Sequence, residues 1–174
     1  GYIGSHTARL LAAHGYDVTV FDNLRTGRRA AARWGDFVEG DLLDRPALDA
    51  LFASKTFDAV FHFAALIAVG ESVVDPSGYY RNNVVGTLNL LDAMKTAGVG
   101  RFVFSSTAAV YGNPVRDRID EAHPLAPINP YGWTKRMIEQ ALADYAAAYG
   151  LRSVAFRYFN AAGAHPDGTM GEAH

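Results

Sequence analysis

Residues 5–14 carry apolar positions at helical spacing, Gly15-Tyr16 closes them, and Asp17-Val18-Thr19-Val20-Phe21 follows as a β-branched, largely buried strand. The alternation repeats along the chain. Residues 36–40 read as a short strand, 45–53 as a helix opened by Pro46 near its first turn, and 57–63 as a continuous apolar strand. A long helix is predicted over 83–97, closed by Gly98, then a buried strand over 101–105. A helix over 131–149 stops at Gly150, and 153–158 is the last strand. Strands that alternate with helices and read as near-continuous apolar runs predict a parallel sheet covered on both faces, a doubly wound α/β layer. No fixed-period repeat, low-complexity tract or internal linker interrupts the pattern, so residues 1–174 read as one domain. The longest irregular stretch, 113–129 with Pro114, Pro124 and Pro127, has the length at which loops in compact domains tend to be functional.

Composition narrows the function. With 174 residues, 49% hydrophobic and 20% charged, the chain has the make-up of a soluble globular domain. Its 16 Lys+Arg against 18 Asp+Glu leave no basic field for a phosphate backbone, which excludes nucleic-acid binding driven by counterion release. The longest apolar stretches, 59–69 and 141–148, are short or broken against the roughly 20 residues of a membrane span. There is no cysteine, hence no disulfide, thiolate nucleophile or Cys-type zinc site, and a reducing compartment fits. Residues 1–4 form neither a secretory nor a mitochondrial leader, and residues 164–174 are polar and turn-rich with no closing element. The expectation is an internal piece of a longer chain.

Four segments carry candidate chemistry. Gly1-Tyr2-Ile3-Gly4 leads directly into a helix, as in the back half of a dinucleotide fingerprint, where glycines let backbone and helix N-terminus approach a pyrophosphate. Two glycines three apart also occur in ordinary turns. Asp22, in Phe21-Asp22-Asn23 at the end of the next strand, lies near the distance at which a carboxylate meets ribose hydroxyls; alternatively it only forms a turn. An Asp there repels a 2′-phosphate, which favours NAD over NADP, with Arg25 the one nearby opposing cation. Asp41-Leu42 and Phe63-Ala64-Ala65 fall at carboxyl ends of strands, where open α/β sheets bind ligands, although each also suits a plain turn or packing.

Tyr131 and Lys135 are four apart on one helix, so an ammonium can lie beside a phenol, stabilise the phenolate and make a general base. Asn129-Pro130 suits the cap and first turn of that helix. A Tyr/Lys pair at this spacing is common on helix surfaces. Here Ser105-Ser106-Thr107 follows a buried strand one βα unit earlier and can bring hydroxyls to the same strand-end crevice. Of the six histidines, His62 reads as a packed core residue and His123 and His165 as loop residues; none has metal-ligand spacing, and no Gly-x-Ser-x-Gly elbow is present.

These residues resemble the extended short-chain dehydrogenase/reductases along essentially the whole chain, and within them the branch that inverts carbon 4 of nucleotide sugars. The resemblance rests on Gly1-Tyr2-Ile3-Gly4-Ser5-His6, Phe21-Asp22-Asn23-Leu24, Glu39-Gly40-Asp41, His62-Phe63-Ala64-Ala65 and Val69-Gly70-Glu71-Ser72. It continues through Asn82-Asn83-Val84-x-Gly86-Thr87, Ser105-Ser106-Thr107, Pro130-Tyr131-Gly132-x-x-Lys135, Arg157-Tyr158-Phe159-Asn160 and the run from Gly163 to Glu172.

The resemblance implies a Rossmann-like fold and an NAD cofactor. Tyr131 would be the catalytic acid/base, Lys135 would bind the nicotinamide ribose and tune the tyrosine, and Thr107 would stand where the family has Ser or Thr. Gly1, Tyr2, Ile3 and Gly4 would meet the pyrophosphate, Asp22 and Asn23 the adenosine ribose, and Asp41 and Leu42 the adenine. Phe63, Ala64, Ala65, Ile67 and Asn83 would line the rest of the cofactor, Ile67 standing where the family sometimes has a lysine. Phe159 would close on the nicotinamide, and Val69 and Asn160 would touch a UDP-sugar. The implied reaction is reversible NAD-mediated oxidation at carbon 4 of a UDP-hexose, in the cytoplasm, with no metal.

Epimerisation of another nucleotide sugar, such as a UDP-pentose, is an alternative within the family; a nucleotide-sugar 4,6-dehydratase would carry an Asp-Glu pair directly after Thr107, where this chain has Ala108-Ala109. A non-catalytic NAD-binding module is the alternative of another class. The family often pairs through two helices such as 83–97 and 131–149, so a homodimer is a further expectation. The family's first strand precedes the glycine turn and is central, so residues 1–174 alone are expected to fold weakly and to be inactive.

Overall fold

The computed structural model describes residues 1–172; Ala173 and His174, the end of the turn-rich terminal run, lie outside the described residues. Among the described residues there are five strands and six α-helices, and every strand pairing is parallel. The strands form two sheets, and the chain divides into two compact units, residues 1–41 with 160–172 and residues 42–159.

In the first unit α1 (Tyr2–Ala13) leads to β1 (Thr19–Asp22), a 3₁₀ turn (Arg29–Ala32) and β2 (Asp36–Glu39). β1 and β2 pair from Thr19↔Asp36 to Asp22↔Glu39. The helix begins three residues before the expected 5–14, because Gly1 caps it and the Ser5 amide closes the first turn on the Gly1 carbonyl at 3.0 Å. Tyr2-Ile3-Gly4, with a glycine and a β-branched residue, carries little helical propensity to announce that turn.

The second unit holds α2 (Arg45–Ser54), β3 (Val60–His62), the short helix α3 (Val69–Val74), which the sequence pattern did not reveal, and α4 (Pro76–Tyr79). A π-helical turn (Tyr80–Val85) joins α4 to α5 (Gly86–Ala97). β4 (Arg101–Thr107), a 3₁₀ turn (Ala108–Tyr111), α6 (Pro130–Tyr149) and β5 (Arg152–Tyr158) complete it. β4 is the middle strand, pairing with β3 through Val60↔Phe102 and with β5 from Arg101↔Arg152 to Thr107↔Tyr158. The expected helix over 83–97 is thus the end of a longer composite that starts at Pro76. Gly98 and Gly150 stop α5 and α6 in the left-handed region, as the pattern predicted.

The core of this unit stacks aromatic rings. Phe102 and Phe104 of β4 lie 6.3 Å apart, and His62 sits 5.7 and 5.9 Å from them. Leu90, Leu91 and Met94 of α5 and Ile138 and Leu142 of α6 are buried in the same unit. Among the described residues no helix is long and apolar enough to cross a membrane.

Candidate active site

In the first unit three predicted nucleotide contacts gather at the carboxyl ends of the strands. Asp22 ends β1, and its Oδ1 accepts the Leu24 amide at 2.7 Å, which holds Leu24 at a φ of 57°, a left-handed turn rare outside glycine. A side chain at Gly27 would begin 3.2 Å from Asp22 Oδ2, so glycine there leaves space beside the carboxylate. Asn23 Nδ2 donates to Asp41 Oδ2 at 2.8 Å, linking the two strand ends. Gly1 is the N-cap of α1, Ile3 and Gly4 lie in its first turn, and the Tyr2 hydroxyl donates to the Gly163 carbonyl. Asn160 is exposed in the same unit.

In the second unit the end of β4 meets the start of α6. Asn129 caps α6 by accepting the Gly132 amide at 2.8 Å, and Pro130 occupies the first turn, where a missing N–H costs nothing. That geometry buries Tyr131 within the first turn and Lys135 one turn on. Thr107 Oγ1 accepts the Ala109 amide at 3.1 Å, which leaves the Thr107 hydroxyl proton available to the Tyr131 phenol beside it. Burial pushes the Tyr131 phenol up, and the Thr107 hydrogen bond, which favours the phenolate, pulls it back. Lys135, only 2% exposed, donates to the Ser105 carbonyl at 2.7 Å, and burial lowers its ammonium to about 7. The ammonium thus stands beside the tyrosine, as the spacing predicted, but hydrogen-bonds the strand.

Behind this group runs a chain of buried hydrogen bonds. Thr87 donates to the Asn83 carbonyl at 2.6 Å, so its oxygen accepts from His62 Nε2 at 2.8 Å, which requires the neutral tautomer with the proton on Nε2. Burial, then the nearby Lys135 charge, lowers His62 to about 3. The Asn83 side chain holds Leu66 by both main-chain groups, at 2.9 and 3.0 Å, and donates to Thr134 at 3.2 Å. Thr134 donates in turn to the Tyr131 carbonyl at 2.7 Å. Asn83, predicted to line the cofactor, therefore ties the segment after β3 to the helix that bears Tyr131.

Phe63, Ala64, Ala65 and Ile67 lie in that segment, with Ala64 and Ile67 exposed; Val69 opens α3. The Leu42 carbonyl accepts Asn89 Nδ2 at 3.0 Å, and Phe159 is exposed just past β5. The model match to the NAD dependent epimerase/dehydratase family runs over residues 1–174.

The chain belongs to that family. The UDP-glucose 4-epimerase of Rhizobium leguminosarum bv. trifolii is 56% identical over 174 residues, covering 100% of this chain and 53% of that protein. The corresponding enzyme of Rhizobium meliloti is 55% identical with the same coverage. The crystal structure of UDP-glucose 4-epimerase from Brucella ovis in complex with NAD superposes with a TM-score of 0.97 at 57% identity, covering 100% of this chain and 54% of that one. The chain spans about half the length of the curated relatives it matches.

Within the family's α/β, Rossmann-like frame two further charged groups stand beside the site: Glu139, which sequence reasoning passed over, and Arg157, which it named only within a motif. Helical arithmetic was the available signal for the first, since Glu139 falls four residues after Lys135 and eight after Tyr131. Glu71 was noted only within a motif; its carboxylate and the Ala68 carbonyl each lie 2.8 Å from the buried Tyr79 hydroxyl, and burial with that carboxylate pushes Tyr79 up to about 12.

Proposed function

We propose that the protein containing this chain is a UDP-glucose/UDP-galactose 4-epimerase that works through NAD, with residues 1–174 as its NAD-binding domain. The observation that carries this reading is Tyr131 buried at the start of α6, beside Thr107 at the end of β4 and with the buried Lys135 nitrogen 5.9 Å from its ring centre. A tyrosine held so can take the proton from a sugar hydroxyl and return it.

The chain's residues suit NAD. Asp22 offers a carboxylate with space beside it, which accepts ribose hydroxyls and repels a 2′-phosphate. Asn23 shares the adenosine ribose, and Asp41 and Leu42 flank the adenine. The first turn of α1 offers main-chain N–H groups of Tyr2, Ile3 and Gly4 to a pyrophosphate. Phe63, Ala64, Ala65, Ile67 and Asn83 line the remainder of the cofactor, Lys135 its nicotinamide ribose, and Phe159 the ring. NAD, when bound, supplies the redox chemistry at carbon 4.

Tyr131 moves the proton at the sugar's 4-oxygen in both directions. Thr107 donates to the tyrosine oxygen and favours its ionised form. Val69 and Asn160 contact the UDP-sugar. Ala108 and Ala109 open the 3₁₀ turn after Thr107 with no acid for an elimination, which favours epimerisation over 4,6-dehydration. A cytoplasmic homodimer completes the reading.

The test is interconversion of UDP-galactose and UDP-glucose by the full-length protein without added NAD⁺. Interconversion supports the proposal; a protein that interconverts no UDP-sugar overturns it.

A further inference from the structure

Three consecutive residues of β4 engage three residues of α6 spaced four apart. Thr107 lies beside the Tyr131 phenol, the Ser105 carbonyl accepts from the Lys135 ammonium at 2.7 Å, and the Ser106 hydroxyl donates to Glu139 Oε1 at 2.6 Å. The last of these belongs to a larger clamp. Arg157 of β5 grips the same carboxylate with two parallel bonds, Nε to Oε1 at 2.9 Å and Nη2 to Oε2 at 2.8 Å. The Glu139 side chain is 7% exposed and that of Arg157 21%. The remaining Arg157 nitrogen, Nη1, donates to the Tyr111 hydroxyl at 3.0 Å, and the guanidinium lies 5.0 Å from the Tyr111 ring centre. Tyr111 closes the 3₁₀ turn that begins directly after Thr107.

We infer that Glu139 and Arg157 are positioning residues for the reaction: their ion pair, through Ser106 and Tyr111, fixes the register of α6 on β4 and thereby the places of Tyr131 beside Thr107 and of the Lys135 ammonium. The inference rests on the epimerase reading. A planar guanidinium fork locks a carboxylate in both distance and angle, which a single ammonium cannot do. The same arginine reaches the turn that follows Thr107 and the helix that carries Tyr131, so it ties together the two elements that bear these residues. Neither residue needs to touch substrate or cofactor for this. Proton transfer tolerates little misplacement, so the effect falls on turnover and spares substrate binding.

The experiment uses the full-length protein and two variants. Glu139→Gln keeps the shape and the Ser106 contact but loses the charge, and Arg157→Lys keeps the charge but loses the fork. Turnover is measured per NAD-occupied site, so that any unfolded fraction does not count, together with KM for the UDP-sugar and thermal unfolding. Both variants are expected to lose about tenfold or more in kcat with KM within about twofold of the parent. Should Glu139→Gln fail to fold, Arg157→Lys decides alone, since it retains the buried pair. Parental kcat per occupied site in the folded variants, whatever their melting temperatures, overturns the inference and leaves the epimerase reading standing. A parent that interconverts no UDP-sugar removes that reading, and the inference with it.

Discussion

The Lys135 ammonium donates to the main-chain carbonyl of Ser105 at 2.7 Å, and its nitrogen stands 5.9 Å from the Tyr131 ring centre. Strand and tyrosine are thereby tied to one buried cation whose charged form is costly to hold.

Lys135→Met follows from that cost. Burial brings the ammonium from 10.5 to about 7, so between those values the native state binds fewer protons than the unfolded chain. Stability contributed by this position therefore rises with pH across that window and is poorest below its lower end. The melting-temperature difference between Lys135→Met and the parent should favour the variant most near pH 6 and shrink toward pH 10, while kcat falls on the order of a hundredfold or more. A difference that stays flat with pH contradicts the buried-charge account.

His62 gives the complementary signal. Its imidazole is lowered from 6.5 to about 3, so its neutral form supports the native state above 6.5 and that support is lost as pH falls through the window. His62→Gln retains a donor for Thr87 but does not titrate. Its melting temperature should fall less steeply below pH 6.5 than the parent's. At pH 7 it should be less stable by about 1 kcal/mol, for the lost stacking on Phe102 and Phe104.

Tyr131→Phe removes one oxygen and leaves the ring in place. Thr107 keeps its bond from the Ala109 amide, so stability should change by only about 1 kcal/mol. NAD should remain bound. Turnover should drop about 10²- to 10⁴-fold, read by the interconversion assay. An unchanged rate would take Tyr131 out of the chemistry.

Gly132→Ala tests how tightly α6 seats. A methyl at Gly132 would start 2.8 Å from the Ala109 carbonyl and 3.1 Å from Pro127 Cβ, and a main-chain oxygen cannot rotate away. The first turn of α6 must shift, which should cost about 1–3 kcal/mol in denaturant unfolding and lower kcat, since Tyr131 is the adjacent residue.

What the sequence disclosed depended on how local each signal was. Asn129-Pro130 and Gly150 mark the ends of α6 by chemistry confined to a few residues, and both ends appear there. Tyr131 and Lys135 sit four apart, so their shared helix face was legible, as was the burial of His62. The partner of Lys135 was not. The Ser105 carbonyl is a main-chain group thirty residues away, and residue type says nothing about it. Likewise the Asn83 contacts with Leu66 and Thr134 depend on the π turn, which has no pattern in apolar spacing. The parallel pairing read from alternation appears in both sheets, β1 with β2 and β3 with β4 with β5.

The π turn at Tyr80–Val85 also makes the number of residues between Pro76 and Ala97 a constrained quantity, independent of their identity. A π turn holds one residue more than an α turn, and each residue advances a helix by about 100°. Deleting one residue of the π turn would relax it to an α-helix and swing what precedes it by that angle against α5, taking the Asn83 amide off Leu66. Exposed positions of the stretch, such as Val85, can change type freely. In an alignment of working relatives, this segment should vary in letters and never in length.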